Sequence, residues 1–218
     1  MILLDSNNKR LIFEGEDKSG KTTLSYLLYE YMIKKYKGRP IYYSSEPIND
    51  KNSIQDSSRK IIRDMIKYNK NISEETRNCL FFLDREILYN TMNKFKFPYI
   101  FISDRSFLSN LCIQNAFEVN TFENLFHQNI DLIKRYNIPT NVIFYIKRDK
   151  SLYDLENSND DVLKKNLLHH RKKINEMYEK LLGKKELLNH DIFINTKIFT
   201  INNNGPIAET LSKILSYF

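Results

Sequence analysis

The sequence predicts an α/β fold: a three-layer α/β/α sandwich around a five-stranded parallel sheet. Two observations carry this reading. Short apolar runs alternate with amphipathic stretches along the whole chain, as expected of strands covered by helices on both faces. The first apolar run, Leu11-Ile12-Phe13, also leads into a turn reading Gly15-Glu16-Asp17-Lys18-Ser19-Gly20-Lys21-Thr22. That is a G-x-x-x-x-G-K-T phosphate loop, and it sits between a strand and a helix, the setting the motif requires.

The strands are read at 10–13, 40–44, 99–103, 141–146 and 193–201, each short and apolar. Helices are read at 22–37, 53–68, 73–94, 107–117, 121–135, 160–182 and 206–217. The first helix has Leu24, Leu27, Leu28, Tyr31 and Met32 at helical spacing, and Gly38 is expected to end it. Ser73 starts the third, with Glu74 and Glu75 at the positive end of its dipole. Pro206 suits the first turn of the last. The Asn-rich pieces 48–52 and 201–205 read as loops. The polar stretch 150–161 reads as a short lid.

At 218 residues, 41% of them hydrophobic, the chain forms a single domain spanning 1–218 with an ample core. No apolar stretch is long enough to span a bilayer, and the N-terminus turns acidic too soon for a signal peptide. A cytoplasmic protein without membrane contact is expected. Cys79 and Cys112 lie in apolar segments and are read as buried free thiols. The net charge of +7 is spread over mixed-sign helix surfaces, so no nucleic acid is expected as partner. Anionic nucleotides are sufficient cause for a mildly basic chain.

Ligands of open α/β sheets gather at the carboxyl ends of the strands. Backbone amides of the phosphate loop would cradle a triphosphate, Lys21 would reach its β- and γ-phosphates, and Thr22 would ligate Mg²⁺. After the second strand, Glu46 could accept from a sugar hydroxyl or be a solvated loop acid. After the third, Asp104 can hold Mg²⁺, and Arg105 can bridge two phosphoryl groups with its planar fork. Phe81 and Arg85, four apart on one helix, share a face. They could stack a base and bond its edge carbonyl. Equally, Leu80-Phe81-Phe82-Leu83 could be plain core.

These pieces, in this order, resemble the thymidylate kinase family, whose members are P-loop NTPases. The family's F-E-G-x-D-x-[SA]-G-K-[ST]-T loop is matched from Phe13 to Thr23. Glu46-Pro47 resembles its bacterial E-P loop, Leu80-Phe81…Arg85 its L-F-x-x-x-R helix, and Asp104-Arg105…Ser109 its D-R-x-x-x-S motif, with Gln114 at the family's glutamine. Pro139-Thr140 precedes the fourth strand as in the family. The resemblance implies ATP and Mg²⁺ as cofactors and phosphorylation of a deoxypyrimidine monophosphate, dTMP to dTDP first. ATP would lie against Gly15, Glu16, Asp17, Lys18, Ser19, Gly20, Lys21, Thr22 and Thr23, with Thr22 and Asp104 on the metal. The acceptor would lie against Asp17, Glu46, Arg63, Phe81, Arg85, Arg105, Ser109 and Gln114. Phe81 would stack on the pyrimidine, Arg85 would bond O4, and Asp17 would approach the 3′-hydroxyl. Arg105, with Arg63, would hold the monophosphate.

The catalytic set so implied is Asp17, Lys18, Lys21 and Arg105. The stretch 154–161 contains no arginine, so Lys18 is expected to bridge the transferred group, with Arg148 a further candidate cation. The E-P loop lacks the family's glycines, Ser45 replaces its arginine, and Ile113 replaces an aromatic residue beside Gln114. These departures extend the expected acceptors to dUMP or a 5-substituted dUMP. Two alternatives stay open: a deoxynucleoside kinase with Glu46 as base, and a catalytically impaired nucleotide binder. Family analogy implies a homodimer, pairing through 107–117 or 73–94.

Overall fold

The computed structural model describes residues 7–48, 57–69, 71–118, 122–149 and 162–218, backbone alone for 162–169. The lid 150–161 and the loop residues 49–52 therefore lie outside the described residues. Five strands form one sheet: β1 (Lys9–Glu14), β2 (Ile41–Ser45), β3 (Ile100–Asp104), β4 (Val142–Lys147) and β5 (Lys197–Asn202). All neighbours are parallel, in the order β2-β3-β1-β4-β5.

Alternation along each strand divides the core in two. Leu11, Phe13, Ile102, Phe144 and Ile146 face α1 (Lys21–Lys35) and α7 (Ile207–Leu215). Ile12, Phe101, Ile143 and Tyr145 face the other way. There they meet α3 (Glu74–Asn93), α4 (Phe107–Ala116), α5 (Phe122–Arg135) and α6 (Val162–Tyr178). Helix α2 (Ser57–Tyr68) packs on α3. Three layers follow because each strand has an apolar side to bury on each face.

The first four strands lie within one residue of their expected ranges. The fifth starts later than expected. Phe193 is fully buried, but its backbone closes tight turns, accepting from the Thr196 N–H and donating to the His190 carbonyl. An apolar residue thus serves the core without extending a strand. Helix α1 closes at Tyr36, whose N–H bonds the Met32 carbonyl, so Gly38 only follows in the turn. Cys112 is buried as expected, whereas Cys79 is exposed because it lies on the outer face of α3. Helix α4 has eight buried residues of ten, enclosed by α3, α5 and α6. The expected pairing surface at 107–117 is therefore corrected: this helix belongs to the monomer's core. Among the described residues no helix is long and apolar enough to cross a membrane.

The register brings Phe13, Ser45 and Asp104 level at the carboxyl edge. Beyond it the chain turns at Gly15, with φ +138°, where a Cβ would collide with the Ile146 carbonyl oxygen. Gly15→Ala is expected to lower unfolding free energy by about 1–3 kcal/mol from backbone strain. A shift of the urea midpoint at constant slope reads this. An unmoved midpoint would mean that the turn relaxes.

Candidate active site

The phosphate loop leaves β1 and enters α1 at Gly20, φ +92°. Asn203, just past β5, supports it from behind. Its Nδ2 donates to the Ser19 carbonyl at 2.8 Å, and Thr210 Oγ1 donates to its Oδ1 at 2.8 Å. The Lys21 side chain folds over the loop, Nζ donating to the Glu16 carbonyl and, at 3.3 Å, to Ser19 Oγ. Burial first, and then Arg105, lower its ammonium from 10.5 to about 8. An anionic ligand would offset both with its opposite charge.

Thr22 Oγ1 donates to Asp104 Oδ2 at 2.6 Å. Asp104 is 3% exposed, and its Oδ1 is buried without a partner. A hydroxyl and a half-satisfied carboxylate beside a phosphate loop fit a magnesium ion that takes its other ligands from water and phosphate. Among the described residues no cluster of three acidic, His or Cys side chains could cage a metal unaided.

Arg105 follows Asp104 in left-handed backbone, φ +75°, with its N–H on the Phe13 carbonyl at 2.9 Å. Its Nη2 pairs with Asp17, and its Nη1 donates to Ser109 Oγ at 3.0 Å. Arg105 is the main cause that holds the Asp17 carboxyl below its usual range. Ser109, read from the sequence as an acceptor contact, is turned inward and donates to Glu14 Oε2 at 2.6 Å. Ser106 donates to Glu14 Oε1 at 2.6 Å, and Tyr178 reaches Oε2 at 3.2 Å. Burial pushes the Glu14 carboxyl up, against these hydroxyls.

A second charged cluster lies under the E-P loop. Glu46 bridges two guanidinium groups: Oε1 accepts from Arg10 Nη2, and Oε2 from Arg85 Nε at 2.9 Å. Arg85 Nη1 donates to Asn129 Oδ1 at 2.6 Å, and no described residue accepts from its Nη2. Beside it Arg59 holds Asp84 bidentately, at 2.9 and 3.0 Å, and reaches Ser44 Oγ and the Ser45 carbonyl. All five charged groups are 5% exposed or less.

On the same face of α3, between Arg77 and Arg85, Phe81 is half-buried. It makes no ring contact among the described residues, whereas Phe82 packs on the core and Leu83 is exposed. The apolar run is thus split three ways, and only Phe81 presents an unpartnered ring. Gln114 is fully buried with both amide atoms unpartnered, and Asn110, one turn earlier, has an unpartnered Oδ1. Arg63 is half-exposed on α2.

Around the loop, Lys18 is exposed in left-handed backbone, and its carbonyl accepts from Arg148 Nη1 at 3.2 Å. Arg171 of α6 pairs with Glu16 at 3.3 Å. Sequence reasoning missed Arg171, for which no local signal exists. It also missed Arg10, Arg59 and Asn129. Asp84 carried a signal, an acid directly after the apolar run Leu80-Phe81-Phe82-Leu83.

A phosphate loop, a hydroxyl–carboxylate pair for Mg²⁺ and converging guanidinium groups define a phosphotransferase of the nucleoside monophosphate kinase class. The thymidylate kinase family model matches residues 13–214, and the chain belongs to that family. Two solved thymidylate kinases share the fold. The one from Ehrlichia chaffeensis is 16% identical, with a TM-score of 0.69 over 97% of this chain and 98% of its own. The one from Candida albicans is 16% identical, with a TM-score of 0.64 over 97% and 91%. A comparison with curated protein sequences finds no significant match. Membership of the family implies use of ATP.

Asp84→Asn leaves Arg59, which is fully buried, without its bidentate carboxylate. Breaking one side of such a pair is expected to cost about 3–5 kcal/mol, measured by chemical denaturation. A loss under about 1 kcal/mol would show that Arg59 finds another acceptor.

Proposed function

We propose that this chain transfers the γ-phosphoryl group of ATP to a deoxypyrimidine monophosphate, dTMP to dTDP first, with dUMP and 5-substituted dUMP as further acceptors. One observation carries the choice of acceptor. Asp17 and Glu46, the two carboxylates assigned to the acceptor, are both held by arginines. A nucleoside acceptor needs a base to take its 5′-hydroxyl proton. A monophosphate brings an oxygen that is already anionic and needs none. Glu46, with both oxygens engaged by guanidinium groups, is poorly suited to be that base, which disfavours the deoxynucleoside kinase alternative. The complete set of Lys21, Thr22, Asp104 and Arg105 argues against an impaired binder.

In this reading an oxygen of the acceptor phosphate attacks the γ-phosphorus, the bond to the β–γ bridging oxygen breaks, and ADP leaves. The protein's task is position and charge neutralisation. Loop amides and Lys21 hold the triphosphate, and Arg105, with Arg63, holds the acceptor phosphate. Lys18 bridges the transferred group, flanked by Arg148 and Arg171. Thr22 and Asp104 would hold Mg²⁺, which would supply charge neutralisation to the triphosphate. Phe81 stacks the base, and Arg85 Nη2 donates to its O4. The Candida albicans enzyme is described for broad substrate specificity, which suits a panel of acceptors. Pairing into a homodimer fits α2 better than α4, since Ile61, Met65 and Tyr68 stand exposed there one turn apart.

ADP release is measured with Mg-ATP and each nucleoside and monophosphate in turn. The expected acceptor is dTMP, and phosphorylation of thymidine but not of dTMP would overturn the reading. Arg85→Ala is expected to cost about 1–3 kcal/mol in kcat/KM for dTMP, the scale of a hydrogen bond to a charged group. Unchanged discrimination against dCMP in that variant would place base recognition elsewhere. Lys18→Ala should lower kcat far more than it raises KM for ATP, and equal changes would leave Lys18 only a ground-state binding role.

The depressed Lys21 ammonium sets a pH dependence. Without nucleotide it loses its proton as pH rises through about 8, whereas a triphosphate favours the charged form. ATP affinity should therefore fall above about pH 8, with proton uptake on binding there and none near pH 6.5. Calorimetry in buffers of different ionisation enthalpy reads this. The stability contribution runs the other way: between about 8 and 10.5 the unfolded chain binds the proton and the folded one does not. This group's contribution to stability therefore rises with pH across that window.

A further inference from the structure

We propose that Arg10 sets the base specificity of this site, as a positioning residue acting through Glu46 on Arg85. The proposal rests on the reading that Arg85 faces the base. Arg10 lies on β1, in the middle of the sheet, 1% exposed, on the side covered by α3. Its Nη1 donates to Tyr89 OH at 2.9 Å, and its Nη2 to Ser103 Oγ at 3.0 Å and to Glu46. The guanidinium sits 5.1 Å from the Tyr89 ring centroid and 5.8 Å from that of Phe101. Its Nε is buried without a partner.

Stability is a weak reason for this arrangement. A buried ion pair is often no better than an apolar replacement, and an orphaned buried N–H is a cost. The chemistry of Glu46 gives a stronger one. Asn129 Nδ2 donates to the Leu125 carbonyl at 2.6 Å, so the amide oxygen is the atom that faces Arg85. With Asn129 on Nη1 and Glu46 on Nε, the Arg85 guanidinium has one orientation. Its Nη2 donors are left for a carbonyl at position 4 of a pyrimidine.

Cytosine presents an amino group at position 4 and needs an acceptor there. Glu46 is the carboxylate beside Arg85 that could provide one. Arg10 occupies Oε1 of that carboxylate and Arg85 occupies Oε2, so beside Arg85 the base meets donors and no free carboxylate oxygen. Without Arg10, Oε1 becomes an acceptor, the carboxylate is free to turn, and Arg85 loses its fixed support. Arg10 never touches the base, yet it decides which base edge the site complements.

The test is the ratio of kcat/KM for dTMP over dCMP in the wild type and in Arg10→Met. The ratio is expected to fall at least tenfold with KM for ATP unchanged. An unchanged ratio, or loss on both substrates in step, would overturn the proposal and leave Arg10 a structural role. If Arg10→Met does not fold, Glu46→Gln is compared with Arg10→Met/Glu46→Gln. The ratio is expected to fall in the first and to fall no further in the second. An unchanged ratio in Glu46→Gln, or a further fall in the double variant, overturns the proposal. A wild type that phosphorylates neither nucleotide would sink the functional reading, and the anchoring is then read without substrate. The Arg85 Nε–H resonance, assigned by its loss in Arg85→Lys, is expected to exchange slowly in the wild type and rapidly in Arg10→Met. Equal protection in both overturns the proposal by itself.

Discussion

Buried charge is costly unless matched, and that constraint shapes the E-P loop and the elements packed beneath it. Glu46 sits between Arg10 and Arg85, and Asp84 within the fork of Arg59. Removed from water, each of these groups is costly alone and tolerable only as part of the set. Their partners come from β1, β2, α2 and α3, so the same pairing that solves the charge problem also docks these elements. A helix whose inner face carries Asp84 and Arg85 cannot slide without breaking it.

The phosphate end follows different rules. Here some polar capacity is left open beside the Arg105–Asp17 and Arg171–Glu16 pairs. Lys21 has its ammonium depressed, and Asp104 has one buried oxygen with no partner. A site that must neutralise an incoming polyanion keeps donors and cations in reserve. The cluster around Glu46, by contrast, is paired apart from a few donors and amides. The two clusters thus differ in how much of their chemistry is already satisfied.

Much of this was legible in the chain. The loop from Gly15 to Thr22 defines its own geometry, because glycines at 15 and 20 permit backbone that other residues do not. Apolar periodicity placed the helices and the first four strands closely, since burial on two faces or one leaves a plain pattern. Phe193 misled because packing and extension are separate properties. Ser109 and Glu46 read as groups facing a ligand, and the structure shows each holding protein partners as well. The reason is distance in sequence: Glu46 meets Arg10 and Arg85, and neither spacing has a local signature.

The sequence by itself determined the order of strands and helices, the phosphate loop and the family motifs, because these rest on neighbours within a few residues. Only the tertiary structure decided which charges are spent on one another and which remain for a ligand. It brought Arg171 of α6 to Glu16 and Arg10 to Glu46. Coulomb interactions and hydrogen bonds depend on separation in space, and the parallel sheet joins residues that the chain keeps far apart.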